Sequence, residues 1–160
     1  MQFVATLFGD TCFLIGLKDK TDQHHKEATK IWKKLLNTNV VKGLNHVTIS
    51  DFVLIEIFQG LQKRAGFETA AAVYSELTDN CRVQQVTLPM VQQAINQKLE
   101  PYRNHKTKQP PIGLVDAISL VTMDKLRISW ILSFDEGFDR IPLVKRIHNE
   151  NTLPYNKSVR

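Results

Sequence analysis

Short apolar runs alternate along this chain with longer segments in which apolar residues recur every three or four positions. A brief apolar run that is rich in β-branched and aromatic residues is typical of a buried strand. The clearest example ends at Asp135. The predicted strands are Phe3–Phe8, Val47–Ile49, Arg82–Val86, Ile128–Phe134 and an edge strand over Leu143–Ile147.

The segments between these runs have the apolar spacing of amphipathic helices. Several begin at a residue that favours a helix start, such as Asp10, Asp22 and Ser50 or Asp51. Pro89 stands at the first turn of another helix, where proline is tolerated. Helices are expected after Asp10 and after Asp22, from Asp51 to Lys63, and over Phe67–Leu77, Leu88–Leu99 and Ile112–Arg127.

Alternating strands and helices predict an α/β fold with a mostly parallel sheet between helices. At 160 residues the chain is long enough for one domain with a substantial core. We expect this domain to span residues 1–148. Residues 149–160 are polar and are expected to form a flexible tail.

Composition excludes several classes of protein. No apolar run reaches the roughly 20 residues of a membrane helix, and the N-terminal residues lack the basic segment of a signal peptide. The two cysteines, Cys12 and Cys81, form neither a disulfide framework nor a metal-binding pattern. We therefore expect a cytoplasmic protein with reduced thiols.

Four acidic residues occupy unusual positions. Asp10 and Asp135 each follow a predicted strand, and the carboxyl ends of parallel strands are where α/β folds place their sites. Asp116 lies in the first turn of a predicted helix, and Glu56 lies between Ile55 and Ile57 in an apolar helix. Taken singly, the three aspartates are better explained as helix caps or turn residues, and a polar stripe on the helix explains Glu56 equally well.

Taken together, these acids predict a metal site. Four converging carboxylates would repel one another unless some were protonated or a cation lay between them. Mg²⁺ prefers such oxygen ligands. The net charge of +5 is compatible with a polyanionic partner, so phosphodiester chemistry is the natural hypothesis. The five histidines have neither metal-ligand spacing nor the order of a catalytic triad.

Five short motifs in this order resemble the PIN-domain nucleases, and in particular the VapC-like toxins of toxin–antitoxin pairs. The telling piece is the turn that follows an apolar strand at Asp135. The motifs are Asp10-Thr11, Asp22 to His25 followed by Ala28, Thr48 to Ser50 with Glu56, Leu114 to Ser119, and Leu132 to Asp139. Together they extend over nearly the whole chain.

This resemblance implies a three-layer α/β/α sandwich and an endoribonuclease that depends on Mg²⁺ or Mn²⁺. It assigns catalysis to Asp10, Glu56, Asp116 and Asp135. We expect Asp10, Asp116 and Asp135 to be the main metal ligands, with Glu56 completing the shell directly or through water. Thr11, Ser119 and Asp139 are expected to support the site. The family also implies an RNA substrate, a small antitoxin as partner and a homodimer.

The basic residues suggest where a nucleic acid would bind. Clusters of Lys and Arg often form solvated surfaces with no partner. If RNA is the substrate, Arg103, Lys106 and Lys108 are the first candidates for phosphate contacts, because they precede the helix that carries Asp116.

Three other interpretations remain. A phosphotransferase with Asp10 as nucleophile is disfavoured, because enzymes of the haloacid dehalogenase type need a second aspartate where Cys12 stands. A PIN fold that only binds RNA or protein is the main alternative, although such a protein has no need for four carboxylates. A structural or interaction domain, with the acids as caps and surface charges, is the third.

Overall fold

The computed structural model describes residues 4–103 and 112–154. Six helices and five strands lie in these ranges. The strands are β1 (Leu7–Gly9), β2 (Val47–Ser50), β3 (Arg82–Gln84), β4 (Trp130–Leu132) and β5 (Lys145–Ile147). The helices are α1 (Thr11–Lys18), α2 (His25–Asn37), α3 (Asp51–Ala65), α4 (Phe67–Asn80), α5 (Leu88–Ala94) and α6 (Leu114–Leu126).

The strands form one sheet in the order β3-β2-β1-β4-β5, and every neighbouring pair is parallel. The predicted α/β/α fold is therefore confirmed, with a fully parallel sheet. Crossovers between parallel strands are right-handed as a rule, and with this strand order that rule places α1–α4 on one face of the sheet and α5–α6 on the other.

The structure corrects several predicted boundaries. The first strand begins at Leu7 rather than Phe3, and the third strand ends at Gln84 rather than Val86. Asp22 does not cap α2 directly. Its carboxylate instead accepts a hydrogen bond from the backbone N–H of His24, the residue before the helix. The helix predicted over Leu88–Leu99 is α-helical only as far as Ala94, after which the backbone widens into a π turn.

Helix caps position the elements that carry the site. Asp10 caps α1, and Ser50 caps α3 by accepting a hydrogen bond from the N–H of Val53 at 3.1 Å. Asp10 directly follows β1 and Ser50 is the last residue of β2, so the two helices begin at the carboxyl edge of the sheet. These caps supply acceptors for N–H groups that have no partner within the helix.

The core lies on both faces of the sheet and is made of aliphatic and phenylalanine side chains, with Leu7, Phe8, Phe13, Ile118 and Phe138 fully buried. Leu153 is also buried in this core, beyond the predicted domain boundary. The division at residue 148 stays a prediction. Within the described ranges, no helix has the length and apolar character needed to cross a membrane.

Candidate active site

Asp10 is the most buried of the four predicted acids, at 4% exposure. One carboxylate oxygen accepts the backbone N–H of Thr11 at 2.9 Å. The other accepts the hydroxyl of Ser133 at 2.6 Å and the thiol of Cys12 at 3.2 Å. Burial raises the pKa of Asp10, and the three hydrogen bonds oppose that rise.

Ser133 joins the two halves of the site. Its hydroxyl donates to Asp10 and also accepts the backbone N–H of Asp135 at 3.0 Å, although Asp10 and Ser133 are 123 residues apart in sequence. The sheet makes this contact possible, because Gly9 on β1 pairs with Leu132 on β4. Asp10 and Asp135 therefore lie at the same edge, as the sequence predicted.

A stack of rings fixes the segment that leads to Asp135. Phe134 stacks on Phe13 with ring centroids 5.5 Å apart and on His24 with centroids 4.4 Å apart. The Asp135 carboxylate accepts the N–H of Gly137 at 2.8 Å and caps a short 3-10 turn. The backbone around Asp135 is thereby held from both sides.

Glu56 is tied to the start of α1. The hydroxyl of Thr11 donates to its carboxylate at 2.7 Å, across 45 residues of sequence. The apolar surroundings inferred from the sequence are only partly present, because Ile57 is buried while Ile55 is 54% exposed. Glu56 thus lies at the boundary between the core and solvent.

Asp116 lies in the first turn of α6, where its carboxylate accepts the N–H of Gly113 at 3.3 Å. Burial, together with the negative charges of Asp10, Asp135 and Glu56, raises its pKa to about 7. Asp116 is therefore close enough to the other three carboxylates to be repelled by each of them. This is the observation that brings the four acids into one cluster.

The donor set of this cluster fits a hard divalent cation. Within the described ranges, none of the four carboxylates forms an ion pair with a lysine, arginine or histidine. Carboxylates that repel one another without a balancing cation are the ligands that Mg²⁺ and Mn²⁺ prefer.

The cluster is nevertheless not arranged as a finished metal site. In the part of the chain that the structure describes, no group of three or more His, Cys, Asp or Glu side chains is placed to hold a metal ion. Asp10 is engaged by Ser133 and Cys12, and Glu56 by Thr11. Side chains would have to move before several of them could share one cation.

Comparison with known proteins identifies the family of this fold and site. Residues 7–143 match the PIN domain family. The chain is a PIN domain. Comparison with curated protein sequences gave no match.

Solved structures resemble this PIN domain over nearly their whole length. VapC20 of Mycobacterium tuberculosis, described as a toxin that cleaves the sarcin–ricin loop, is 27% identical with a TM-score of 0.68, over 86% of this chain and 96% of that one. A DNA-bound VapBC from Salmonella typhimurium is 16% identical with a TM-score of 0.63, over 90% and 98%. A toxin–antitoxin complex from Klebsiella pneumoniae is 19% identical with a TM-score of 0.57, over 88% and 95%, and shares the fold.

The three predicted supporting residues of the PIN domain lie in different surroundings. Thr11 contacts Glu56, as described above. Ser119 is fully buried, and its hydroxyl donates to the carbonyl of Val115 within α6. Asp139 forms a two-point ion pair with Arg146, at 2.8 Å and 2.7 Å, which lowers its pKa. Only Thr11 of the three is bonded to one of the four clustered acids.

The predicted phosphate-binding residues are only partly described. Arg103 is exposed and pairs with Glu100 at 3.1 Å. Lys106 and Lys108 lie outside the described residues. The assignment of these residues to RNA binding stays a prediction.

Sequence reasoning missed Ser133, Cys12 and Arg146. Burial and the charge of Asp10 raise the pKa of the Cys12 thiol to about 12, so it is protonated and can donate to Asp10. Arg146, with a side chain only 7% exposed, donates to Asp139 and to the carbonyl of Ser133. A polar residue two positions before Asp135 was the only sequence signal for Ser133, and nothing local indicated Cys12 or Arg146.

Proposed function

We propose that this PIN domain is a metal-dependent endoribonuclease that acts as the toxin of a toxin–antitoxin pair in the cytoplasm. The observation that carries the proposal is the convergence of four acids without a balancing cation. Burial and the charges of the other three acids together raise the pKa of Asp116 to about 7. Membership of the PIN domain family and the likeness to VapC20 support it.

Asp10, Asp116 and Asp135 are the proposed ligands of Mg²⁺ or Mn²⁺, with Glu56 completing the set. When bound, such an ion lowers the pKa of a water molecule and neutralises charge on a phosphate. The chain's own residues orient the ligands. Ser133 and Cys12 hold Asp10, and the Gly137 N–H holds Asp135.

Thr11 and Glu56 have a separate task in this proposal. The Thr11 hydroxyl fixes the Glu56 carboxylate on the side of the cluster formed by α3. From there Glu56 can accept the proton of an attacking water molecule. The side chain is partly exposed, so the proton can pass on to solvent.

The alternative is a PIN domain that binds RNA or protein without cutting. The buried Asp10 argues against it, because a carboxyl group at 4% exposure is costly to keep without a function.

An assay of RNA cleavage decides between these functions. With Mg²⁺ we expect cleavage that is lost in EDTA and falls by at least about 100-fold in Asp10→Asn and Asp116→Asn, because each removes a charged ligand. Asp124→Asn is the matched control, since Asp124 lies on the same helix as Asp116 but is 61% exposed and pairs with Lys98. Undiminished cleavage in EDTA or in both site variants would rule out the metal mechanism.

We also propose a small antitoxin as partner, seated on the aromatic surface formed by Ile55, Phe58, Phe67 and Tyr74. Ile55, Phe67 and Tyr74 are 54%, 59% and 43% exposed, and Phe58 packs edge-on against Phe67 and Tyr74. An exposed apolar patch of this kind is typical of a protein interface. Gln59 and Gln62 connect it to the groove beside Thr11 and Glu56, so a bound segment could reach the acids.

Co-expression tests this partner surface. Expression of the chain alone should arrest growth, and a small protein encoded beside it should co-purify and restore growth. Ile55→Glu with Tyr74→Glu should abolish co-purification, whereas Leu88→Glu, at a leucine that is 83% exposed on α5, should not. If both variants co-purified with the small protein equally well, this surface would be excluded as its binding site. Light scattering on the free protein measures whether it is the homodimer that we propose.

A further inference from the structure

A groove of about 300 Å³ lies at the opposite edge of the sheet from the acids. We call it the amino-edge groove, and Thr6, Thr48, Arg82, Val83, Gln84, Leu126, Arg127 and Ile128 line it. Thr6 and Ile128 immediately precede β1 and β4, and Thr48 pairs with Arg82 across β2 and β3. The groove is therefore formed where the strands begin, at the C-terminal end of α6.

The lining of this groove is cationic and contains no acid. Arg82 and Arg127 are both exposed, and neither takes part in an ion pair within the described residues. The pKa of the nearby His46 responds to this positive charge. Burial lowers its pKa, and the positive charges of Arg82 and Lys42 lower it further. Positive charge thus accumulates here without internal compensation.

Thr48 adds an independent observation. Thr48 is 2% exposed and lines the groove, and its hydroxyl makes no hydrogen bond among the described residues. The hydroxyl is not one of the fully buried unpaired atoms of these residues, which are Asp19 Oδ2 and His148 Nδ1, so it is accessible from the groove. A ligand oxygen in the groove would accept its hydrogen, and the hydroxyl of Thr6 stands on the same side of the sheet.

Two guanidinium groups beside a hydroxyl that has no protein partner are suited to a phosphate, because arginine binds the oxygens of a phosphate in pairs. The strands are three or four residues long, so the groove lies roughly 10 Å or more from the acids. A phosphate bound there cannot be the one that is cut.

We propose that the amino-edge groove binds the RNA backbone at a phosphate remote from the scissile bond, through Arg82, Arg127 and Thr48. This inference rests on the proposed function, since it assigns a second contact to the same RNA. It gives the protein a means of holding a folded RNA at two places, and phosphate contacts of this kind set register and orientation.

Fluorescence anisotropy with a labelled RNA hairpin tests the groove without cleavage. The assay uses the full chain with Asp116→Asn, in EDTA, at several salt concentrations. Adding Arg82→Gln and Arg127→Gln should weaken binding by roughly 5–20-fold at low salt and reduce the slope of log K against log salt by about 1–2, since two phosphate contacts are lost. Adding Thr48→Val should weaken binding by roughly 2–5-fold with no change in slope, because it removes a hydroxyl but no charge.

The matched control is the pair Lys30→Gln and Lys33→Gln, which removes the same charge from an exposed face of α2. It should change affinity by less than about 2-fold, as expected for charges that make no direct contact. Equal losses of RNA affinity in the arginine and lysine double variants would show a general charge effect and overturn the proposed binding at the groove. Unchanged binding in the arginine double variant would overturn it as well. Thermal denaturation of each variant identifies any that does not fold. A variant in which the arginines are exchanged for lysine then takes its place.

The outcome is separable from that of the proposed function. If the unsubstituted chain cuts no RNA but the arginine pair still loses binding selectively, the nuclease proposal fails and the groove stands. If the chain cuts RNA and the arginine pair binds as tightly as its parent, the groove alone fails.

Discussion

Hydrogen bonds from neutral groups orient the acids of this PIN domain. Each of the four carboxylates accepts at least one bond from a neutral donor, which is a hydroxyl, a thiol or a backbone N–H. Neutral donors fix the direction of a carboxylate while leaving its charge available. An arginine in the same place would fix the direction but cancel the charge.

Asp116→Asn should stabilise the metal-free protein at high pH. The folded-state pKa of Asp116 is raised from 3.8 to about 7, so its charge opposes folding above pH 4, fully so above pH 7. Such a shift is worth at most about 4 kcal/mol, which solvent screening reduces to roughly 1–3 kcal/mol. Urea unfolding in EDTA should show this gain at pH 8 and none at pH 4. A variant less stable than its parent at pH 8 would contradict the repulsion.

Cys12 offers a finer test of how Asp10 is held. Cys12→Ala removes the thiol that lies 3.2 Å from the carboxylate and should weaken Mn²⁺ binding by roughly 3–10-fold. Cys12→Ser retains a donor and should stay within about 2-fold. Titration with Mn²⁺ followed by thermal shift gives both affinities. Equal affinity of the alanine and serine variants would mean that the thiol only fills space.

At the level of elements, strands and caps explain how the site is positioned. β1 and β4 are only three residues long, yet each ends directly before or near an acid. β1 is buried along its whole length, which fixes its register, because a shift by one residue would turn every side chain to the other face.

Gly9 shows how tightly these elements meet. A Cβ at this position would lie 2.9 Å from Leu14 Cδ1, 3.0 Å from Val47 Cγ1 and 3.3 Å from Ile49 Cγ2. Gly9→Ala should therefore lower the free energy of unfolding by roughly 1–3 kcal/mol. Gly43→Ala is the control, since only Asn45 Oδ1 is near, and should have little effect. Chemical denaturation measures the stability of both variants. Equal stability would show that β1 can shift to accommodate the added methyl group.

The helix caps and most of the elements could be predicted from the sequence, because they depend on neighbouring residues. The contacts between distant segments could not. Asp10 and Ser50 were identifiable as caps because a cap depends on the next three residues. The Ser133–Asp10 bond spans 123 residues and depends on which strands are neighbours, a choice that the hydrophobic pattern does not encode. Asp139 and Arg146 are only seven residues apart, but their pairing depends on how the 3-10 turn packs beside β5, so Asp139 looked like a further site acid.

At the level of the whole molecule, charge is segregated by edge. The four acids lie at the carboxyl edge of the sheet, while Arg82 and Arg127 lie at the amino edge. Although the net charge is +5, negative charge is concentrated at the carboxyl edge of the sheet. A long polyanion can be attracted by most of the surface and still need a metal ion to approach the acids.

Metal binding should accordingly stabilise the entire domain. At a Mn²⁺ concentration about 100 times the dissociation constant, the free energy of unfolding should rise by about 2.7 kcal/mol, which corresponds to roughly 5–10 °C in Tm. Differential scanning calorimetry with and without EDTA measures this rise. It should be absent in Asp10→Asn and present in Asp124→Asn. An equal rise in Asp10→Asn would place the ion elsewhere.

The division of the site between β1 and β4 has a consequence for synthesis. Asp10 leaves the ribosome first, and Ser133 follows 123 residues later, which at ordinary rates of translation takes roughly 6–25 s. Until then the sheet lacks its fourth and fifth strands, and Asp10 has no hydroxyl to hold it. If the protein cuts RNA as proposed, a nascent chain, or one released early from a stalled ribosome, would lack the complete site. Such a nuclease becomes active only when its synthesis is nearly complete.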